Sequence, residues 1–194
     1  MKREIVFVHV PKTGGASVLQ ICLRHRVVVI GHDLRHPNYF SLMDYKKHKP
    51  DIFSFTIVRN PWDRVVSTYF FLKGGGIKQE DKEDSGRFVD RYSCFDEFVL
   101  EAFKDEEILE QIHFRPQHKW LSDDRSLIVD QVGKFEHLQE DCSKWFRLVG
   151  LPNYTLPHVN KSTHNQYKTY YTDKTATIIR HIYSRDIELF KYNF

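Results

Sequence analysis

Apolar positions along the chain fall into two alternating patterns. Over residues 4–10, Ile5, Val6, Phe7, Val8 and Val10 form a nearly unbroken run, as in a strand buried on both faces. Pro11 ends the run because it has no N–H for a ladder. From Ala16 the apolar residues Val18, Leu19 and Leu23 recur at helical spacing and predict a helix over 15–25. Val27 to Ile30 predict a second strand, β-branched throughout and ending at Gly31-His32-Asp33. A short helix over Tyr39–Lys47, closed by Pro50, and a third strand over Ile52–Val58 follow. Asn60-Pro61 then set an N-cap and a first-turn proline ahead of Trp62, Val65, Val66, Tyr69 and Phe70, apolar at i, i+3, i+4, i+7 and i+8.

The second half is mostly helical. Lys73 to Ser85 carries three glycines and a charged run with no apolar stripe, which predicts a mobile loop or lid. Helical patterns cover Phe95–Phe103, with Ser93 as its cap, and Glu106–Phe114. Leu127–Val132 predicts a fourth strand, extending toward Phe135, and His137–Val149 a helix ended by Gly150 at C′. Asn153–Tyr171 is irregular, and a last helix runs from Thr172 or Asp173 to Phe190. There are no internal repeats. Strands alternating with helices predict an α/β fold, a central mostly parallel sheet flanked by helices, and 194 residues suit a single domain over 1–194. Ligands of such sheets bind beyond the C-terminal ends of the strands. Lys12 to Gly15, His32 and Arg59 all fall just past a predicted strand end.

Composition narrows the function. An apolar fraction of 41% and a charged fraction of 28% belong to a globular chain. A net charge of +3 suits an anionic ligand but is too weak, without a Lys/Arg run, for a nucleic-acid partner. Cys22, Cys94 and Cys142 are odd in number and lack a CxxC pair, which argues against a disulfide framework and a zinc site. The histidines show no metal-ligand spacing, so no metal is expected. No signal peptide or membrane-spanning run is legible. The expected location is cytoplasmic, or lumenal if the chain is cut from a membrane-anchored protein.

The chemistry lies in two motifs. Pro11-Lys12-Thr13-Gly14-Gly15-Ala16-Ser17 joins the first strand to a helix N-terminus, where backbone N–H groups and the helix dipole converge on an anion. Its Lys precedes the glycines, so it is not a Walker A loop. An ordinary β-turn-α corner with a solvated Lys is the plainer reading. In Arg59-Asn60-Pro61-Trp62-Asp63-Arg64-Val65-Val66-Ser67, the Arg59 guanidinium can fork onto a phosphate and the Ser67 hydroxyl can donate to a further oxygen, while Arg64 reads as structural or solvated. His32 follows the second strand beside the first loop. A neutral imidazole near its ordinary pKa of about 6.5 can accept a proton there.

Together these motifs resemble the 5′-phosphosulfate loop and the 3′-phosphate motif of sulfotransferases that use 3′-phosphoadenosine 5′-phosphosulfate (PAPS). Arg115-Pro116-Gln117-His118, Val132 to Leu138, His158 to Ser162 and Ile182 to Phe190 resemble carbohydrate sulfotransferases of the heparan sulfate 2-O-sulfotransferase type. The resemblance implies a P-loop-like three-layer fold, PAPS as co-substrate and PAP as product, and a carbohydrate or other hydroxyl-bearing acceptor. It implies nucleotide contacts from Lys12, Thr13, Gly14, Gly15, Ala16, Ser17, Arg59 and Ser67, with Lys161 and Ser162 from a closing loop. His32 would be the base and Lys12 would assist the leaving group. His36, Arg115 and His118 would line the acceptor side; His158 is a weaker candidate, and His9 reads as a core residue. Two alternatives stay open: a P-loop small-molecule kinase, for which no strand-borne Asp is evident, and a non-catalytic nucleotide-binding protein on the same fold.

Overall fold

The computed structural model describes residues 4–25, 27–31, 42–123, 126–157 and 165–194. In chain order the elements are β1 (Ile5–Val8), α1 (Gly15–Arg24), β2 (Val28–Ile30), α2 (Leu42–His48), β3 (Phe53–Val58) and α3 (Pro61–Lys73). There follow α4 (Gln79–Phe88), α5 (Phe95–Ala102), α6 (His118–Leu121), β4 (Gln131–Lys134), α7 (Leu138–Leu148), α8 (Asp173–Ile182) and α9 (Ser184–Phe190). Within the span 1–194 these elements group into two compact units, Met1–Arg59 with Gln117–Lys161 and Asn60–Pro116 with Ser162–Phe194.

The first unit holds the sheet, which has the order β2-β1-β3-β4 and is parallel at every pairing. The register sets Val8 beside both Ile30 and Thr56, and Val58 beside Lys134. All four C-terminal ends therefore share one edge, as the α/β reading requires. Chain order reverses between β1 and β3, the point at which open parallel sheets leave a ligand crevice. One face is sealed by α1 and α7, with Phe7, Phe55, Val18, Ile21, Cys22, Trp145 and Phe146 in one apolar cluster. Burial pushes the Cys22 and Cys142 thiols up to about 12, so both behave as apolar filler. The end of α7 is fixed by bonds from Gly150 N to Arg147 O and from Leu151 N to Phe146 O, the pair that defines a Schellman stop with glycine at C′.

The second unit packs α3 against α5 and α8 around Tyr69, Phe98, Val99 and Ile179. Asn60 caps α3 through its Oδ1, which accepts from Trp62 N at 3.1 Å and Asp63 N at 3.5 Å. Its Nδ2 donates to Asn193 O at 2.8 Å.

Several elements differ from the sequence pattern, the short helix α6 among them. The loop predicted over Lys73 to Ser85 contains α4 from Gln79 onward. Its buried stripe is Asp81, Ser85 and Phe88, and two polar members hide it from an apolar count. Asp81 Oδ2 starts the helix by accepting from Ile77 N and Lys78 N, each at 2.9 Å. The fourth strand begins at Gln131 and not Leu127. Leu127 bridges antiparallel to Ser122, and the chain turns beside β3 only after Asp130 has taken Ser54 N at 2.8 Å. The last helix breaks at Tyr183, which is buried and donates to Phe114 O. Over Glu106–Phe114 only a short 3₁₀ turn, Glu106–Leu109, forms. Among the described residues no helix is long and apolar enough to cross a membrane.

Candidate functional site

The loop after β1 is shaped by a stopped ladder, an internal turn bond and two left-handed residues. His9 N still pairs with Ile30 O at 2.8 Å, and Pro11 then stops the ladder. The buried Thr13 hydroxyl donates to Val10 O at 2.9 Å, which closes the turn from within. Lys12 sits at φ 68, a left-handed conformation that costs a non-glycine residue roughly 1–3 kcal/mol. Gly14, at φ 78, is the N-cap of α1, with no side-chain cap bond and no acidic residue in the first turn. The positive end of α1 therefore carries no compensating side-chain charge in its first turn.

The two glycines are required by what packs on them. A Cβ on Gly14 would lie 2.7 Å from Phe135 Cδ2, and one on Gly15 would lie 2.1 Å from His9 Cδ2. His9, expected in the core, is 5% exposed, stacked on Phe7 and wedged against Gly15.

Arg59 follows directly on β3. It is 5% exposed. Its Nη1 donates to Lys12 O at 3.2 Å, and its guanidinium carbon stands 4.3 Å from the centre of the Phe135 ring. Gly14, Phe135 and Arg59 therefore form one packed stack, which brings the loop of β1, the end of β3 and the turn after β4 together. A guanidinium presents five donors in a rigid plane, and the Lys12 carbonyl takes one of them.

Other candidates distribute as follows. Ala16 is half-buried and Ser17 is 5% exposed, both in the first turn of α1. Ser67 is 4% exposed on α3 and belongs to the second unit. Arg115, also in the second unit, pairs with Glu110 at 3.4 Å, and its carbonyl accepts from the buried Arg64 at 2.9 Å. His118 begins α6, half-buried, with its carbonyl bonded to Ser122 N and Oγ. His32, His36, His158, Lys161 and Ser162 lie outside the described residues.

Two residues of the site were not singled out by pattern. Gln117, fully buried, accepts from Arg59 N and donates to Arg59 O, both at 2.9 Å. Phe135 lies under the guanidinium. A glutamine beside a proline and an aromatic at a strand end carry no local signal; only the resemblances over Arg115 to His118 and Val132 to Leu138 touch these stretches.

The sequence profile of the sulfotransferase family matches residues 1–193. An uncharacterised protein of Archaeoglobus fulgidus is 30% identical over 115 residues, which is 59% of this chain and 81% of that one. Among solved structures, mouse sulfotransferase SULT7A1 complexed with PAP aligns over 100% of this chain and 90% of its own, at 12% identity and a TM-score of 0.48. A sulfotransferase from Alicyclobacillus acidocaldarius aligns over 99% and 100%, at 12% identity and a TM-score of 0.39.

Proposed function

We propose that this chain, which belongs to the sulfotransferase family, transfers a sulfuryl group from PAPS to an acceptor hydroxyl, and that the acceptor is a carbohydrate. One observation carries the reading. The buried guanidinium of Arg59 is bonded to the carbonyl of Lys12, so two phosphate-type motifs meet at the reversal point of a parallel sheet. The 5′-phosphosulfate would be held by the loop from Lys12 to Ser17, and the 3′-phosphate would take Arg59. Ser67, Lys161 and Ser162 keep the nucleotide roles given by the resemblance. His36, Arg115 and His118 keep theirs toward the acceptor.

In the proposed step the acceptor oxygen attacks sulfur in line. The bond from sulfur to the 5′-phosphate oxygen breaks, the acceptor proton passes to His32, and PAP leaves with its growing charge met by Lys12 and the start of α1. Lys12 suits this task as a point charge on a flexible stem. The rate at limiting substrate should rise with pH through an ionisation near the ordinary His value of about 6.5.

Thermal shift tests the donor. PAP at about 100 times its Kd should raise stability by roughly 2.7 kcal/mol, and ATP with Mg²⁺ should not. Equal stabilisation by ATP–Mg²⁺ would favour the kinase reading. Turnover of labelled PAPS over a panel of polysaccharide and small hydroxyl acceptors then separates an enzyme from a binder. On the true acceptor, His32→Ala should lower kcat by about 10²–10⁴-fold. A loss of less than threefold would transfer the base to His118 or a carboxylate.

A further inference from the structure

We propose that Gln117 is a positioning residue that locks Arg59 in the geometry needed to bind the 3′-phosphate, an inference that rests on the reading of the site as a PAPS site. β3 ends at Val58, whose last pairing is to Lys134. Arg59 is one residue past that ladder and 5% exposed, so its N–H and C=O require partners other than water. Gln117 supplies both. Its Oε1 accepts from Arg59 N at 2.9 Å and its Nε2 donates to Arg59 O at 2.9 Å. One carboxamide thus stands in for the next residue of a neighbouring strand.

The choice of side chain follows from this. The clamp needs one acceptor and one donor a peptide-width apart, in a site with 0% exposure. Glutamate would set a second lone pair against the Arg59 carbonyl, and asparagine is one methylene short. With the backbone held by Gln117, the side chain is fixed at two further points. Phe135 defines the plane of the guanidinium and Lys12 O takes one of its donors. The arginine is then presented to an anion without searching rotamers, which preserves the entropy otherwise lost on binding.

The test is a double-mutant cycle read by calorimetry with PAP, using Gln117→Met, which keeps the length and removes both hydrogen bonds, and Arg59→Ala. Gln117→Met should weaken PAP binding by about 10- to 100-fold, the scale for displacing a binding group by about 1 Å. In the Arg59→Ala background the same change should cost less than about twofold, because Gln117 acts through Arg59. Acceptor KM at saturating PAPS should not move. Amide exchange at Arg59 should quicken in Gln117→Met with or without nucleotide, and Gln117→Asn should not restore either property. Equal losses in both backgrounds would overturn the proposal and make Gln117 a general packing residue. Unchanged PAP affinity in Gln117→Met would overturn it as well. Absence of PAP binding by the wild type marks a different failure, that of the PAPS reading itself, and removes the role assigned here with it.

Discussion

Arg59 is the residue in which the loop, the sheet and the charge of the site are joined. A buried guanidinium stacked on Phe135 and bonded to Lys12 O has little freedom left, and its planar fork is matched to a phosphate. Arg59→Ala should therefore weaken PAP binding by about 2–4 kcal/mol, the scale for losing a buried charge-assisted pair. Calorimetry checks this, and unchanged affinity would remove Arg59 from the site. Arg59→Lys keeps the charge but cannot lie flat on Phe135 while reaching the Lys12 carbonyl, and it should recover only a small part of the loss. The strand-turn-helix geometry of the loop after β1 is legible at this scale because its signals are local. Pro11 stops a strand, two glycines follow within four residues, and helical spacing resumes at once. Gln117 and Phe135 were not legible, since each acts on a residue more than fifty positions away.

The junction between Arg59 and α3 shows what an element adds. Asn60 caps the helix with its carbonyl oxygen and uses its amide on Asn193 O. Asn60→Ala removes both functions and should lower the stability of the protein by about 1–2 kcal/mol. Asn60→Asp keeps the cap and should recover roughly half of that, a difference readable in denaturant midpoints. The Asn-Pro signal placed this helix correctly because capping is decided by neighbours in sequence. The pattern failed where burial involves polar side chains. Asp81 and Ser85 line the inner face of α4, where an apolar stripe was sought. The pattern places β4 four residues early because Leu127 and Val129 are apolar for reasons other than strand pairing with β3.

For the whole molecule, acid stability follows from carboxylates that tie segments together. Burial of Asp130 works against its ionisation, but the Ser54 hydroxyl and amide and the Lys46 ammonium outweigh it and hold the carboxyl below its ordinary value. Asp81 is held low in the same sense, with burial outweighed by the amides of Lys78 and Ile77 and by His113. A carboxyl whose folded pKa is depressed contributes its stability above the unfolded value, about 3.9, and loses it as pH falls through the folded value. Melting temperature should thus hold between about pH 7 and 5 on this account and fall below about pH 4. Asp130→Asn should lower the plateau and shallow the acid limb. An unchanged limb would show that Asp130 is not a determinant.

The clamp between Gln117 and Arg59 also has a kinetic consequence. The two residues are 58 positions apart, at the points where the chain leaves the sheet-bearing unit and re-enters it. Closing a loop of that length costs about 3–4 kcal/mol of chain entropy, against only two hydrogen bonds gained. Unless the β3–β4 pairing across the same span is already formed in the transition state, such a contact is expected to form after the folding barrier. Gln117→Met should then speed unfolding while leaving the refolding rate nearly unchanged, a φ-value near zero. Arg59, the residue proposed to grip the nucleotide, would be the last part of the sheet edge to set during folding and the first to loosen during unfolding.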